Sequence, residues 1–391
     1  MVKLSLFSQI TKLVHKPMFT DIVKKYEADK HSKGIDSWTH LVSMLFCQLG
    51  HANSVRDISN GLRSITGNIV HLGCKKAPSK STVSYVNEHR TYEVFRDLYY
   101  GLAEHLTKST DFPKPGLRQL KRNLYLLDAS VIPLSLSLYD WAKFRTRKGA
   151  VKLHLMLDYN GCLPVFADLT KGSEHEIQTA RKMVMPSDSI VVFDMGYYDF
   201  SWWNHLDRLD TWFVTRAKEN LDYDIIQNFD VAGEKDQNIL QHQNIRLSGT
   251  KSKEEYPGML RLVRYWDEVN ENELVFLTNN RYWTASTIAE IYKERWNIES
   301  FFKMIKQNLK VKSFVGTSEN AVQIQIWTAL IAILLLTYLK IKAKYQWHMS
   351  NLITFIRLNL FVKIDLWDWV DKPFVDKNPK INDRQLLLFS G

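Results

Sequence analysis

Residues 123–130 read NLYLLDAS, a short apolar run that ends in an acidic residue. Residues 189–199, SIVVFDMGYYD, show the same pattern farther along the chain. Continuous apolar runs of this length are typical of strands that are buried on both faces of a sheet. The two runs therefore predict two core strands, the first ending at Asp128 and the second at Asp194.

Three further apolar runs surround these two and predict strands at residues 151–159, 163–169 and 212–215. Helical patterns lie at residues 174–184 and 200–209, on either side of the fourth strand. The order of three strands, helix, strand, helix and strand predicts an α/β core rather than a sandwich or a helix bundle.

The sequence outside this core has a different character. Residues 1–112 carry amphipathic helical patterns and end at a DFPKPG turn, which predicts a helical N-terminal domain. Residues 220–274 are polar with alternating segments, which predicts a β-rich insertion within a core domain that spans residues 113–345. A helical tail, residues 346–391, is expected to follow and to pair subunits.

Two short helices of the N-terminal domain, at residues 55–62 and 81–88, resemble the two helices of a helix-turn-helix DNA reader. Lys80 stands at the start of the second helix and is a candidate DNA contact. The connection of about eighteen residues is longer than that motif allows. A plain helical bundle is therefore the alternative.

The charge balance favours a polyanionic partner. The chain has 52 Lys and Arg residues against 42 Asp and Glu residues, a formal net charge of +10. Arg147, Lys303 and their basic neighbours are candidate contacts to a DNA backbone, although each also suits an ordinary solvated surface. No Gly-rich phosphate loop is found, which argues against a nucleotide cofactor.

Residues 326–339, IWTALIAILLLTYL, are the one candidate membrane span. These fourteen residues are fewer than the roughly 20 that a bilayer requires, so a buried core helix is expected instead. The three cysteines are scattered without CxxC spacing, which predicts neither a zinc site nor a disulfide framework. A reducing cytoplasm fits these features.

The two strand-terminal acids, Asp128 and Asp194, are the first candidates for chemistry. An acid at the end of a buried strand is costly to desolvate unless something pairs with it. Capping of the following turn explains either residue alone. On neighbouring strands, however, the two carboxylates would converge and repel each other, and a bound cation is the usual relief.

A third acid lies in the predicted helix at residues 287–309. At about 100° per residue, a narrow stripe of this helix carries Tyr292, Arg295, Glu299 and Lys306. An apolar stripe beside it would pack on the sheet, so the polar stripe could reach the two Asp residues. The alternative is a solvated face on which Arg295 and Glu299 form an ordinary ion pair.

The spacing of this stripe resembles the Tyr-Arg-Glu-Lys signature of the fourth insertion-sequence family of bacterial transposases, which belong to the DDE class. Asp128 and Asp194 stand where that family places its first two acids, and the resemblance covers about residues 120–315. One departure is Met195, where relatives often carry a basic residue.

The resemblance implies a ribonuclease H-like core with a β-rich insertion before the helix of the last acid. It also implies excision of an element through a hairpin and an aromatic holder for a flipped base, with the choice open among the tryptophans at 266, 283 and 296. The expected partners are double-stranded DNA, both element ends and target, and a second copy of the chain in a homodimer.

The expected activity is cleavage at element ends and strand transfer by a cut-and-paste route. Our hypothesis is that Asp128, Asp194 and Glu299 are the catalytic residues and hold two Mg²⁺ or Mn²⁺ ions, since hard carboxylates suit these cations. Near the cut, DNA phosphates would be contacted by Tyr292, Arg295 and Lys306.

Three other activities compete with this interpretation. A metal-dependent nuclease would cleave DNA without strand transfer, and a non-catalytic regulator derived from a transposase would only bind DNA. A glycosidase would use two of the acids, but the basic surroundings of Glu299 argue against it.

Overall fold

The structure, a computed structural model, describes residues 4–374 except for residues 31, 33, 66–68, 109–116, 118–119, 136, 146–147, 162 and 233–236. The first part of the chain is helical. Its helices are α1 (Leu6–Thr11), α2 (Lys16–Lys25), α3 (Ser37–Leu49), α4 (Val55–Arg63), α5 (Lys80–His89) and α6 (Glu93–Lys108).

Strands and helices then alternate through the α/β part of the chain. The elements up to the sixth strand are β1 (Asn123–Leu134), β2 (Lys143–Arg145), β3 (Lys148–Asp158), β4 (Leu163–Lys171), α7 (Glu176–Ala180), β5 (Ser189–Phe193), α8 (Phe200–Arg208) and β6 (Trp212–Arg216). Next come β7 (Tyr223–Asn228), β8 (Ile239–Leu247), α9 (Thr250–Glu255), β9 (Leu260–Asp267) and β10 (Asn272–Thr278). The chain closes with α10 (Ala285–Lys293), α11 (Trp296–Asn308), α12 (Glu319–Lys342), α13 (Met349–Leu358) and α14 (Leu366–Asp371).

All the strands belong to one ten-stranded mixed sheet with the order β2-β3-β1-β5-β6-β10-β9-β8-β7, and β4 pairs with β3. Strand β1 is antiparallel to β3 and parallel to β5, which is in turn parallel to β6. The predicted α/β class is therefore correct, and the predicted core strands are all present.

The segment at residues 220–274, predicted to be a β-rich insertion, contains β7, β8, β9 and the start of β10. Its strands do not form a sheet of their own, because β10 pairs with β6 and carries β9, β8 and β7 outward from it. This pairing satisfies backbone groups that β6 would otherwise expose at a sheet edge. The segment therefore extends the central sheet.

The predicted helix at residues 287–309 is divided in two. Helix α10 ends at Lys293 and α11 begins at Trp296, and backbone bonds of the i to i+3 type join Arg295 to Tyr292 and Ile298 to Arg295. Such bonds wind the chain more tightly than an α-helix does. A single 100° step per residue therefore does not describe the face that carries the signature residues. Helix α7 is likewise shorter than the predicted 174–184.

Helix α12 lies at the centre of the molecule and packs against α3, α5, α6 and α13. It is long and apolar enough to cross a membrane, but 89% of its most apolar window is buried within the fold. Its polar side chains are also used internally, since Gln325 donates to the backbone oxygens of Lys310 and Ser313. The prediction of a buried core helix is confirmed, although the helix extends beyond residues 326–339.

The central sheet is covered on both faces. Alternate side chains of β1 point to opposite sides. Leu124 and Leu126 join a large apolar cluster with Ile298 of α11, whereas Tyr125 and Leu127 join a second cluster that includes α8. The first cluster also contains residues of the N-terminal helices and of α13 and α14. One core therefore connects the N-terminal helices, the sheet and the C-terminal helices.

Candidate active site

Asp128 and Asp194 lie next to each other where β1 and β5 run in parallel. Leu127 pairs with Phe193, and each acid is the next residue along its chain. Strand β5 ends at Phe193, whereas β1 continues beyond Asp128 to Leu134 by pairing with β3. Asp128 is therefore within its strand rather than at its end, and it shares the α11 side of the sheet with Leu126.

Both acids also take part in local hydrogen bonds. Asp194 Oδ1 accepts a bond of 2.8 Å from the backbone N–H of Gly196, which caps the short 3-10 turn Met195–Tyr197. Asp128 Oδ1 accepts a bond of 2.8 Å from the backbone N–H of Ala129. The turn-capping alternative is thus present at Asp194, in addition to its position beside Asp128.

Arg295 connects the third acid to this pair. Its Nη2 donates to Glu299 Oε1 at 2.5 Å, and its Nη1 lies 3.8 Å from Asp128 Oδ2. The ion pair between Arg295 and Glu299 that the sequence offered as an alternative is therefore formed. The same guanidinium also reaches Asp128 in the sheet. One positive charge therefore lies between an acid of α11 and an acid of β1.

Lys306 ties the other end of α11 to β1. Its Nζ donates to Ser130 Oγ at 2.5 Å and to the backbone oxygen of Val131 at 3.0 Å. Ser130 and Val131 follow Asp128 closely in β1, so this lysine lies beside the acids. The ammonium group of Lys306 therefore donates hydrogen bonds to atoms of the protein itself.

The electrostatics of the acids reflect their crowding. Burial and the negative charge of Asp194 raise the pKa of Asp128 to about 7, against the opposing effects of the Ala129 N–H and of Arg295. Burial lowers the pKa of Arg295, but the charges around it, including those of Glu299 and Asp128, outweigh burial and raise it overall. The site therefore holds more negative charge than one guanidinium neutralises.

Tyr292 is buried rather than presented on an open face. It is 7% exposed, and its ring lies 4.8 Å from the ring of Phe276 in β10. The guanidinium carbon of Arg295 lies 5.7 Å from the centre of the Tyr292 ring. The Tyr292 ring thus packs against the guanidinium of Arg295. Burial raises the pKa of the Tyr292 phenol.

The remaining basic candidates are not gathered at the acids. Lys303 is exposed on α11, and Lys80 is exposed at the start of α5, which packs against α3, α4 and α12. Arg147 lies outside the described residues. Of the predicted basic contacts that the structure describes, only Arg295 and Lys306 therefore touch β1 or its acid.

The three candidate tryptophans have different surroundings. Trp296 is 63% exposed and directly follows Arg295. Trp266 is 39% exposed near the end of β9, and Trp283 packs edge-on against Trp212 at 5.1 Å. Of the three, Trp296 is therefore both the most open and the nearest in sequence to the acid-binding arginine.

One polar group at this site, the pair of Lys152 and Glu176, was not predicted from the sequence. Lys152 of β3 donates to Glu176 Oε1 of α7 at 2.7 Å, and Glu176 lies next to Gly196 in the turn after Asp194. The sequence did contain a sign of this pair, because Lys152 is a charged residue between the apolar residues of β3. Burial raises the pKa of Glu176, but the bond from Lys152 more than offsets this and lowers it overall.

The residues at this site suit a divalent cation in their chemistry. Asp128, Asp194 and Glu299 carry hard carboxylate oxygens, the donors that Mg²⁺ and Mn²⁺ prefer. Burial is the main cause of the raised pKa of Asp128, and the negative charge of Asp194, which adds to it, is the kind of repulsion that a bound cation relieves. In the described part of the chain, however, no three His, Cys, Asp or Glu side chains are close enough together to hold a metal. To hold a cation together with Asp128 and Asp194, Glu299 would have to give up its bond to Arg295.

Two family models match the chain. Residues 119–335 match the family described as "Transposase DDE domain", and residues 2–75 match a "Domain of unknown function (DUF4372)". The first match covers β1, β5 and α11, and with them all three acids.

Bacterial proteins named as transposases are similar to the chain over most of its length. A Sinorhizobium fredii protein named as the transposase y4zB is 31% identical over 66% of this chain and 71% of its own. A Geobacillus stearothermophilus protein, named as a transposase for insertion sequence element IS5377, is 27% identical over 74% of each chain. A Synechocystis protein, named as a transposase for element IS4SA, is 23% identical over 74% of this chain and 80% of its own.

Among solved structures, the chain is similar to the piggyBac transposase in a synaptic complex with hairpin DNA, determined by cryo-electron microscopy. The TM-score is 0.41 at 10% identity, with 97% of this chain and 84% of the other covered.

Proposed function

This chain belongs to the family of transposases with a DDE domain, and we propose that it cuts DNA at the ends of an insertion sequence and joins those ends to target DNA. The observation that carries the proposal is the contact of Arg295 with both Asp128 and Glu299, beside Asp194. It brings together the strand acids and the helix acid that this chemistry requires.

The sheet topology supports a ribonuclease H-like core. In the order β4-β3-β1-β5-β6, β3 is antiparallel and β5 and β6 are parallel to β1, so Asp128 lies in β1 and Asp194 directly follows the adjacent β5. We assign the catalytic domain to residues 113–345, a DNA-end-binding region to residues 1–112 and a dimerisation tail to residues 346–391. The exposed Lys80 of α5 and Arg147 would contact DNA phosphates.

Asp128, Asp194 and Glu299 would together hold two Mg²⁺ or Mn²⁺ ions. When bound, such ions activate a nucleophile and stabilise the leaving oxygen of a phosphodiester. The buried sheet beneath Asp128 excludes water from one side of the site. A DNA strand would therefore reach the acids from the other side, past the exposed end of α11. Glu299 can join the strand acids once a DNA phosphate takes over the guanidinium of Arg295.

The basic residues of α11 suit the binding of a DNA strand at the cut. Arg295 carries a planar fork of N–H donors that matches a phosphate, and Tyr292 supports this fork from below. Lys303 is exposed and can contact the backbone beyond the cut, while Lys306 holds α11 on β1. The exposed Trp296 is our choice for stacking on a flipped base.

We further propose a cut-and-paste route through a hairpin at the element end, in the cytoplasm of a bacterium. A synapse brings two ends together, so we expect a homodimer on DNA. The proposal requires the same three acids for the first cut and for strand transfer, because both steps displace an oxygen from a phosphate.

The test is cleavage of a labelled fragment that carries the element end, in the presence of Mg²⁺ and a target plasmid. Asp128→Asn, Asp194→Asn and Glu299→Gln preserve size and remove charge, so each variant should still bind DNA yet fail to cut it. Glu268→Gln, a substitution of an exposed acid, serves as the matched control. Cutting by any one of the three variants at the wild-type rate would exclude the proposal. A labelled fragment that is cut but never joined to the plasmid would indicate a nuclease.

A further inference from the structure

A polar group lies under the acids, on the side of the sheet opposite to α11. Lys152 occupies the same side of β3 as Met156, which packs in the cluster that contains Tyr197. Glu176 lies in α7, which contacts the turn after Asp194. The group therefore borders Asp194 from below while α11 borders the acids from above.

The pair of Lys152 and Glu176 is held firmly. Lys152 is 7% exposed, and its Nζ donates to Glu176 Oε1 at 2.7 Å and to the backbone oxygen of Glu174 at 2.8 Å. A buried ammonium needs such partners, since an unpaired buried charge is strongly unfavourable. The two bonds fix the direction in which the Glu176 carboxylate points.

Gly196 brings the Glu176 carboxylate close to Asp194. A Cβ atom at position 196 would lie 3.0 Å from Asp194 Oδ1 and 3.4 Å from Glu176 Oε2. The two carboxylates thus approach the same backbone position, and a larger residue there would push against them. Glu176 is therefore a fourth carboxylate beside the proposed metal ligands.

The hydroxyl of Tyr197 is the third member of the group. Tyr197 is 0% exposed, and its hydroxyl has no hydrogen-bond partner in the described part of the chain. Tyr197 closes the turn that Asp194 caps, and its backbone N–H donates to the backbone oxygen of Asp194 at 3.3 Å. Burial, and after it the charges of Asp128, Asp194 and Glu176, raises the pKa of its phenol. A buried hydroxyl without a partner is unfavourable, so packing alone would favour phenylalanine at this position.

We propose that Tyr197, together with the pair of Lys152 and Glu176, positions the Asp194 carboxylate for cation binding. The Tyr197 hydroxyl would donate a hydrogen bond to the carboxylates when they take up a cation, and Glu176 would hold the Asp194–Tyr197 turn in place. These are positioning residues that act through Asp194. The inference rests on the proposed function, in which Asp194 is a metal ligand.

The experiment compares Tyr197→Phe with Tyr256→Phe in the full chain. Tyr256 is the matched control, because it is 1% exposed in the same apolar cluster and its hydroxyl likewise has no hydrogen-bond partner in the structure described. Three quantities are measured: the thermal unfolding midpoint, Mn²⁺ binding without DNA by electron paramagnetic resonance, and the Mg²⁺ concentration for half-maximal cleavage. Both variants should unfold at or above the wild-type temperature, since each loses an unpaired hydroxyl.

Only Tyr197→Phe should weaken Mn²⁺ binding, by about tenfold to a hundredfold, as loss of a residue that orients a metal ligand does. Its half-maximal Mg²⁺ concentration should rise in parallel. The double variant Lys152→Met with Glu176→Gln, which avoids leaving a buried charge unpaired, should shift both values in the same direction. Wild-type Mn²⁺ binding by Tyr197→Phe would overturn the inference.

Asp194→Asn separates this inference from the proposed function. If Asp194→Asn abolishes Mn²⁺ binding and cleavage while Tyr197→Phe matches the wild type, only the positioning role is wrong. If Asp194→Asn binds Mn²⁺ and cuts DNA normally, the proposed function itself fails.

Discussion

The guanidinium of Arg295 lies 3.8 Å from the carboxylate of Asp128, across the contact between α11 and the central sheet. The same guanidinium is bonded to Glu299 on its own helix. Acids that are far apart in the chain are therefore linked by one cation that belongs to the protein. A phosphate or a metal ion that enters the site competes for the same charges.

Arg295→Lys should separate binding from cutting. Lysine keeps the positive charge but lacks the planar fork that can bind a carboxylate and a phosphate together. We expect cleavage to fall by about 100-fold, the typical effect of losing one oriented donor at a reacting phosphate or oxyanion. Single-turnover cleavage and DNA binding at fixed salt measure the two effects.

Arg264→Lys is the control for that substitution. Arg264 pairs with Glu273 across β9 and β10, away from the acids. It should cut DNA at the wild-type rate. Equal losses in the two variants would show that the effect of Arg295→Lys is not specific to the site.

The contact of Lys306 with Ser130 should contribute measurably to stability. Bonds from a charged donor contribute about 1.5 to 3 kcal/mol, and partial exposure of Lys306 places the expected loss in Lys306→Met near the lower end. Urea unfolding of Lys306→Met, Ser130→Ala and the double variant gives the coupling energy. Strictly additive losses would mean that the two side chains do not interact in solution.

Divalent cations should stabilise the folded chain. A ligand that binds only the folded state adds RT ln(1 + [L]/Kd), which is about 1.4 kcal/mol at a tenfold excess of cation over Kd. The unfolding midpoint should therefore rise with Mg²⁺ and fall back when EDTA removes the cation, which should also stop cleavage. Asp128→Asn and Asp194→Asn should show little or no rise, whereas a full rise in both would place the bound cation elsewhere.

Acid should destabilise the N-terminal helices through His40. Burial lowers the pKa of His40 from its ordinary value of 6.5 to about 3, and its Nε2 lies 2.7 Å from Asn87 Oδ1. Between these pH values the unfolded chain takes up a proton that the folded chain does not. The contribution of His40 to stability is therefore complete above pH 6.5 and falls as the pH drops toward 3, by up to about 1.4 kcal/mol per pH unit.

Urea unfolding at pH 7 and pH 5 tests this effect. His154 adds a change of the same sign, because burial lowers its pKa to about 4. His40→Gln removes the titration of His40, so its stability should depend less steeply on pH than that of the wild type. An unchanged pH dependence would show that His40 is accessible to protons in the folded state.

Much of the fold could be predicted because buried elements leave regular patterns in the sequence. The runs at Leu124–Leu127 and Ile190–Phe193 are apolar at every position, as strands covered on both faces must be. Helix α12 was recognisable as core because its apolar run at residues 326–339 is shorter than the roughly 20 residues that a bilayer requires. The position of the β-rich segment was not predictable, since the partner of a free strand edge depends on the arrangement of the whole sheet.

The sequence by itself indicated three candidate acids, the spacing of the polar residues around Glu299, the strand that contains Asp128 and the strand that Asp194 follows, because each is recorded in local order and periodicity. Only the tertiary structure decided that Arg295 stands between two of the acids, that Tyr292 is buried, and that Lys152 and Glu176 lie below Asp194. The physical reason is that periodicity reports which side of an element is buried, whereas contacts between side chains depend on strand order and on how the tightly wound turn between α10 and α11 rotates the helix.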